Sequence, residues 1–131
     1  MSGFIPVGNG GGGGSVTVNA LLEINKTLQG AIAAATPAVV YTLVSYTVPV
    51  GKTLKISSIQ GTSDGNAEWD MKINGVLIHK QRNYHTEPNI TMSFPNYISL
   101  FPGQLLELTA FNRTTFNTIN SIDVFVFARE E

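Results

Sequence analysis

The chain of 131 residues has few side chains that could carry out chemistry. Its two histidines are His79 and His85, and the acidic residues near them in sequence are Glu68, Asp70 and Glu87. Neither an H-x-x-x-H spacing nor the pattern of a facial triad is present, so we expect no metal site. The hydrophobic pattern predicts that His79 lies on the polar face of a strand and His85 in the loop after it.

Motifs for nucleophilic catalysis and phosphate binding are also missing from the sequence. The absence of cysteine excludes disulfides, zinc–thiolate sites and cysteine nucleophiles. G-x-S-x-G does not occur, and the glycine run at residues 10–14 lacks the G-K-[ST] that completes a phosphate loop. Asp64-Gly65-Asn66 is typical of a turn rather than of a calcium site. We therefore predict a protein that is not an enzyme, with no catalytic residue and no cofactor.

The charge content argues against two classes of partner. Only 13% of the residues are charged, and the formal net charge is -1. Proteins that bind nucleic acid or anionic membranes usually carry a basic segment, and no cluster of Lys and Arg occurs here. No apolar run approaches the ~18 residues that span a bilayer. We expect neither nucleic acid nor membrane as a partner, and the low charge favours a subunit partly covered by its neighbours.

Aromatic residues in loop-like segments are candidates for stacking on sugars. Tyr84, Tyr97 and Phe116 lie in such segments, and the segment from Arg82 to His85 joins Tyr84 to a cation and an amide. Aromatic rings beside Asn and Arg are typical of carbohydrate-binding patches, whereas a loop aromatic can equally pack on the end of its own domain. Arg82 and Tyr84 are the candidate ligand-binding residues.

The elements that would position these residues fall into two parts, and residues 1–38 form the first. Glycines at positions 8 and 10–14 predict a flexible arm. An apolar tip precedes them, formed by Phe4, Ile5, Pro6 and Val7. A chance group of hydrophobic residues at a chain terminus would look the same. We predict that Phe4, Ile5 and Val7 contact a partner.

The second half of the arm allows two conformations. Leu21, Ile24, Leu28 and Ala31 are spaced by three, four and three residues, which predicts a short helix with a heptad-like apolar seam. The strand-forming residues 16–18 favour an extended arm instead. Both alternatives stay open, and Leu21, Ile24 and Leu28 are candidate contacts to another subunit in either case.

Residues 39–131 form the second part, which we predict to be an all-β domain. Apolar and polar residues alternate over short segments separated by turn residues, as in an antiparallel β-sandwich of jelly-roll type with seven or eight strands. Asn74-Gly75 predicts a two-residue hairpin turn. The expected cross-strand pairs are Ile73 with Val76, Met71 with Ile78, and Trp69 with Lys80, and the alternation places Trp69, Met71 and Ile73 in the core.

The last predicted strand is apolar on both faces. Ile122, Val124 and Val126 fill one face, and Phe125 and Phe127 occupy the other. Leaving both rings in water would forgo about 1.5–3 kcal/mol each of burial stabilisation. We therefore predict a homo-oligomer, preferably a trimer, with Phe125 and Phe127 at its contacts.

Three segments resemble a pattern found in virion proteins of tailed bacteriophages. They read YTVPVGKTLKI at residues 46–56, WDMKING at residues 69–75 and SLFPGQLLEL at residues 99–108. The family pattern has V-P-x-G-K-x-L-x-I, then V-x-I-N-G, then L-x-P-G-x-x-L-E-L. Here Met71 replaces the valine. The resemblance covers about residues 44–111 and does not include the glycine-rich arm.

The resemblance implies a structural role. The chain resembles head decoration, or cement, proteins with a jelly-roll β-sandwich. As such a protein it would adhere to the major capsid protein or to other virion proteins, and to further copies of itself. The resemblance would place the chain in the virion, after synthesis in the host cytoplasm. Such proteins carry no catalytic residues. The alternative that it leaves open is a tail-associated module that binds a receptor or a carbohydrate.

Overall fold

The computed structural model describes residues 25–114 and 117–131. The strands are β1 (Asn25–Ile32), β2 (Val40–Thr47), β3 (Leu54–Ser63), β4 (Ala67–Ile73), β5 (Val76–Asn83), β6 (Asn89–Leu100), β7 (Leu105–Asn112) and β8 (Ile122–Glu130). They form two antiparallel sheets with the orders β1-β8-β3-β6 and β2-β7-β4-β5. This is the strand order of an eight-stranded jelly roll. The prediction of an all-β sandwich with seven or eight strands is confirmed.

Every regular element of the described residues is a strand. These residues contain no helix with the length and apolar character needed to cross a membrane.

The core lies between the two sheets and follows the predicted alternation. On β4, Trp69 and Met71 are fully buried, and on β8 the residues that alternate with Phe125 and Phe127 are buried in the same way. The other large buried side chains are Val48, Leu54, Ile56, Ile59, Met92, Leu100, Leu106, Leu108, Ile119 and Ile122. The predicted core positions Trp69 and Met71 on β4 and the inward residues of β8 are therefore confirmed, whereas Ile73 is partly buried and packs against this core.

Trp69 connects the sheets to one another. Its indole Nε1 donates a hydrogen bond to Oδ1 of the buried Asn83 at 2.9 Å. Its ring lies against Gly61 in the opposite sheet, where an added Cβ atom would come 3.0 Å from two ring carbons. Trp69 thus packs against β3 through a glycine and holds β5 through a hydrogen bond.

The hairpin between β4 and β5 has the predicted turn. Asn74 and Gly75 adopt positive φ angles of 51° and 78°, as a type I′ turn requires. Ile73 lies opposite Val76, as predicted.

Beyond that pair, the predicted register of the hairpin is wrong. A β-bulge in β5 makes Ile78 an extra residue with no partner of its own. The alternation of apolar and polar residues does not reveal such an insertion. The pairs that differ are Met71 with His79 instead of Ile78, and Trp69 with Gln81 instead of Lys80.

Because of the bulge, His79 lies on a different face of the strand from the one predicted. Since His79 lies opposite Met71, it is on the inward side of the edge strand, and its ring meets the ring of Phe94 edge to face at 6.1 Å between centroids. The prediction that His79 lies on the polar face is therefore wrong. His85 lies in the exposed turn after β5, as predicted.

β1 occupies part of the segment assigned to the arm. Residues 25–32 pair with β8, so the sandwich extends N-terminally to Asn25 rather than beginning at residue 39. The helical alternative is wrong for these residues, because their burial alternates with the period of two of a strand. Leu28 lies opposite Val126 and packs against the core of its own subunit.

Gly30 is required where β1 passes close to β2. Leu43 is the extra residue of a β-bulge in β2. A Cβ atom at Gly30 would overlap the carbonyl group of Leu43. Gly30 therefore permits the close contact between the two sheet edges.

We expect Gly30→Ala to lower the free energy of unfolding by about 1–3 kcal/mol, because the new methyl group forces the two backbones apart. Urea denaturation measures the change. Ala31→Ser, at the exposed neighbouring position, is the control and should stay within about 0.5 kcal/mol of the wild type. A Gly30→Ala loss no larger than that of the control would contradict the close contact.

Candidate interaction surfaces

Three turns meet at one end of the sandwich, and backbone hydrogen bonds join them. The amide of Gly103 donates to the carbonyl of Val48 at 2.9 Å, and the amide of Val48 donates to the carbonyl of Gln104 at 3.0 Å. The amide of Asn74 donates to the carbonyl of Leu105 at 2.9 Å. The turn between β2 and β3, the hairpin turn and the turn between β6 and β7 are therefore neighbours.

These turns and the start of β5 expose apolar side chains, which we call the apolar turn end. Its members are Val50, Val76, Leu77, Ile78 and Phe101. Val50 is 95% exposed, Val76 61% and Phe101 58%. Turn tips usually carry polar residues, and a group of exposed apolar side chains is typical of an interaction site.

The apolar turn end was not predicted from the sequence. The expected hairpin register placed Val76 and Ile78 opposite core residues, on the face that lines the core. The signal available in the sequence was a large apolar residue beside Pro or Gly in both turns, at residues 49–51 and 101–103.

The opposite end of the sandwich holds a polar cleft of about 540 Å³. The loops between β3 and β4, β5 and β6, and β7 and β8 supply its walls. The polar lining residues are Asp64, Asn66, His85, Arg113, Thr114, Asn117 and Thr118. The volume lies within the range of small-molecule sites.

Two buried asparagines and one aspartate hold the loops of the cleft. Asn83 Nδ2 donates to the carbonyl of Gly65 at 3.0 Å. Asn112 Nδ2 donates to the carbonyl of Asn117 at 3.0 Å. Asp64 Oδ1 accepts hydrogen bonds from the backbone amides of residues 120 and 121. These bonds satisfy buried polar groups and fix the shape of the cleft.

The two predicted ligand-binding residues have different surroundings. Arg82 Nε donates to Glu68 Oε1 at 2.7 Å on the outer face of its sheet. Tyr84 lies beside the cleft, where the guanidinium of Arg113 is 5.6 Å from its ring centroid. Arg113, which lines the cleft, was not among the predicted ligand-binding residues. Phe116 lies outside the described residues.

The outer face of the sheet that contains β4 and β5 carries charges that neutralise one another. Lys80 Nζ lies 2.7 Å from Glu68 Oε2 and 2.8 Å from Asp70 Oδ1. Hydrogen bonds from Lys80 and then Arg82 lower the pKa of Glu68. Hydrogen bonds to Asp70 and then Glu68 raise the pKa of Lys80. This face therefore offers little excess charge to a partner.

The outer face of the other sheet carries Phe125 and Phe127, as predicted. Phe125 is 36% exposed and Phe127 is partly buried. Their rings are 6.3 Å apart at an angle of 17°. Gln29 and Gln60 flank Phe125 on the neighbouring strands. Because the rings cover each other in part, this face exposes less apolar area than the sequence implied. The role of both residues in an oligomer stays a prediction.

The remaining predicted contacts, Phe4, Ile5, Val7, Leu21 and Ile24, lie outside the described residues. Within residues 25–114 and 117–131, no three His, Asp or Glu side chains are grouped as metal ligands.

Comparisons with known proteins identify no family. No protein-family model and no curated protein matches the sequence. Among solved structures, the virus-like particle of the extra small virus of the giant freshwater prawn Macrobrachium rosenbergii is similar over 98% of this chain and 92% of that chain, with 13% identity and a TM-score of 0.39. Dimeric latent PorU from Porphyromonas gingivalis is similar over 81% of this chain, with 15% identity and a TM-score of 0.37. The match spans 13% of the PorU chain. Similarities at this level carry no argument about function.

We expect Glu68→Gln to lower the free energy of unfolding by about 1 kcal/mol at neutral pH, the scale of two exposed ion pairs. The pKa of Glu68 is lower in the folded chain than its ordinary value of 4.5. Its stabilisation is therefore complete above that value and is lost as the pH falls through the folded pKa. Chemical denaturation from pH 7 to pH 3 should show the difference between wild type and variant shrinking below about pH 4.

Glu87→Gln removes a charge at an exposed turn position and is the matched control. A Glu68→Gln effect that stayed constant down to pH 3 would contradict the charged hydrogen bonds as its cause.

Proposed function

We propose that the chain is a structural protein of a virion, a decoration or cement subunit that stabilises a tailed-phage head by adhesion. Its partners would be the major capsid protein or another virion protein, together with further copies of itself. It would act without catalysis. The observation that carries the proposal is the apolar turn end, whose side chains the rest of the described sandwich leaves uncovered.

The family resemblance supports the same surface. The three segments that carry it contain Val50, the Asn74-Gly75 turn and Phe101. These segments are distant in sequence, and backbone hydrogen bonds bring their turns together. If the family shares a docking surface, we expect the segments that carry the resemblance to meet at one exposed end, as these turns do.

The energetics favour attachment at several points. Burying an exposed Val or Phe side chain contributes about 1.5–3 kcal/mol, whereas association costs an estimated 4–15 kcal/mol in lost freedom of motion. One apolar turn end therefore binds weakly alone. A trimer that presents three such ends gains affinity through multivalency. Phe125 and Phe127 are the proposed contacts between its subunits.

The charge distribution favours a stable assembly over a transient encounter. Electrostatic steering needs complementary potentials. Here the charges on one sheet face neutralise one another, and Phe125 on the other face lies between glutamines. Adhesion would therefore rest on shape and apolar contact.

We expect Val50→Ser combined with Val76→Ser to weaken binding to phage heads by about tenfold or more per residue, since each loses about 1.4 kcal/mol of burial. Co-sedimentation with heads that lack the chain measures the affinity. Val40→Ser is the control, because Val40 is 58% exposed at the opposite end of the sandwich. Failure of the wild-type chain to bind heads, or equal losses in test and control, would overturn the proposal.

The second candidate function is carbohydrate or receptor binding at the tail, and the polar cleft favours it. Loops held on a rigid scaffold commonly carry binding residues. Arg113, His85 and Asn66 line a cleft of suitable size beside the Tyr84 ring.

We expect this candidate, where it holds, to give glycan-array binding that Arg113→Ala abolishes and Arg82→Ala leaves intact. Arg113 lines the cleft, whereas Arg82 is paired with Glu68. A wild-type chain that binds no glycan, or equal losses in both variants, would exclude the cleft as a glycan site.

A further inference from the structure

We propose that the apolar turn end is the docking site for the apolar tip of the same chain's arm, Phe4-Ile5-Pro6-Val7. In a free subunit the tip would cover Val50, Val76 and their neighbours. This docking does not rest on the proposed function.

The arm joins the sandwich at the end where the apolar surface lies. Asn25, the first described residue, lies opposite Arg129 near the end of β8. Lys26 pairs with Glu130, with their charged atoms 3.6 Å apart. The amide of Glu131 donates to the carbonyl of Thr53, in the turn that carries Val50. The residues before Asn25 therefore start beside the apolar turn end.

The tether between tip and strand is long enough for this docking. Residues 8–24 separate Val7 from Asn25, which is 17 residues. A chain of this length reaches about 60 Å when fully extended. A tether of this length with the flexibility of a glycine-rich chain would span about 23 Å on average. A domain of this size has a radius of gyration of about 13 Å, so the turn end is well within reach.

The chemistry of the tip matches this surface better than the others. The tip contains no charged side chain, and neither do the five residues of the apolar turn end. The cleft end is lined by polar and charged residues. One outer sheet face carries Glu68 and its partners, and the other is flanked by glutamines. Of the described surfaces, the turn end offers the apolar contact that an apolar segment requires.

A tip on its own tether competes well against the tip of a second copy. A short flexible linker gives an effective concentration of roughly millimolar. Free subunits at micromolar concentration cannot match this value. The occupant is therefore the tip of the same chain in dilute solution.

Paramagnetic relaxation enhancement in the full chain tests the docking directly. The chain contains no cysteine, so Ser2→Cys allows a nitroxide label at one site beside the tip. We expect the amide signals of Val50, Leu77 and Phe101 to lose at least half of their intensity. Val40, which is 58% exposed at the opposite end, should keep its signal. The losses should not change on tenfold dilution.

Two controls make the result decisive. Phe4→Ser combined with Ile5→Ser in the labelled chain should restore the signals of the turn end. Full broadening in this variant would mean that the tether alone brings the label near, and would overturn the proposal. A mixture of isotope-labelled chain without nitroxide and unlabelled chain with nitroxide should show no broadening. Broadening only in the mixture would assign the tip to a second copy and overturn the same-chain docking.

Absence of broadening at the turn end in the tagged wild-type chain would also overturn the inference. That failure is separate from a failure of the proposed function, because the nitroxide experiment contains no virion component. The head-binding test with Val50→Ser and Val76→Ser can succeed or fail independently of it.

Discussion

The hydrogen bond from Trp69 to Asn83 is the interaction on which both the core and the cleft depend. The Trp69 ring fills the space above Gly61 between the sheets, and its N–H would be buried without a partner if Asn83 were absent. Asn83 accepts this bond through Oδ1, and its Nδ2 donates to the carbonyl of Gly65 in the first loop of the cleft. Asn83 therefore fixes the position of a surface loop relative to the core.

The two ends of the sandwich are held by different kinds of hydrogen bond, and this difference decides what each end can do. At the cleft end, side chains such as Asn112 and Asp64 form hydrogen bonds with backbone groups. Polar side chains are therefore abundant there, and part of their hydrogen-bonding capacity is already used. At the turn end, the turns are joined mainly by backbone groups. The side chains of Val50, Val76 and Phe101 are therefore not needed for the turns themselves. Within the described residues the turns do not require these apolar side chains, which is why we propose a binding role for them.

Alternation and turn residues were enough to predict the fold class, the number of strands and the inward faces of β4 and β8. They failed where a strand contains an extra residue. The bulge at Ile78 moved His79 to the inward side, and the bulge at Leu43 requires a glycine at position 30. Nor could local pattern show that three distant turns meet at one end. That proximity follows from the jelly-roll strand order, so the apolar turn end emerged only from the tertiary structure.

Under the proposed function, the edges of the sheets would help to direct association to the turn end. An exposed edge strand can pair with a strand of another chain, and bulges and charged side chains oppose this. β5 is an edge strand and has both features, since its bulge lies at Ile78 and Lys80 and Arg82 follow on the same strand. Pairing along β5 would have to flatten the bulge and bring another strand against these charges. Contact through apolar side chains at the adjoining end requires neither change. The same strand therefore presents apolar residues at its start and resists backbone pairing along its length, which favours a defined docking contact over open-ended strand addition.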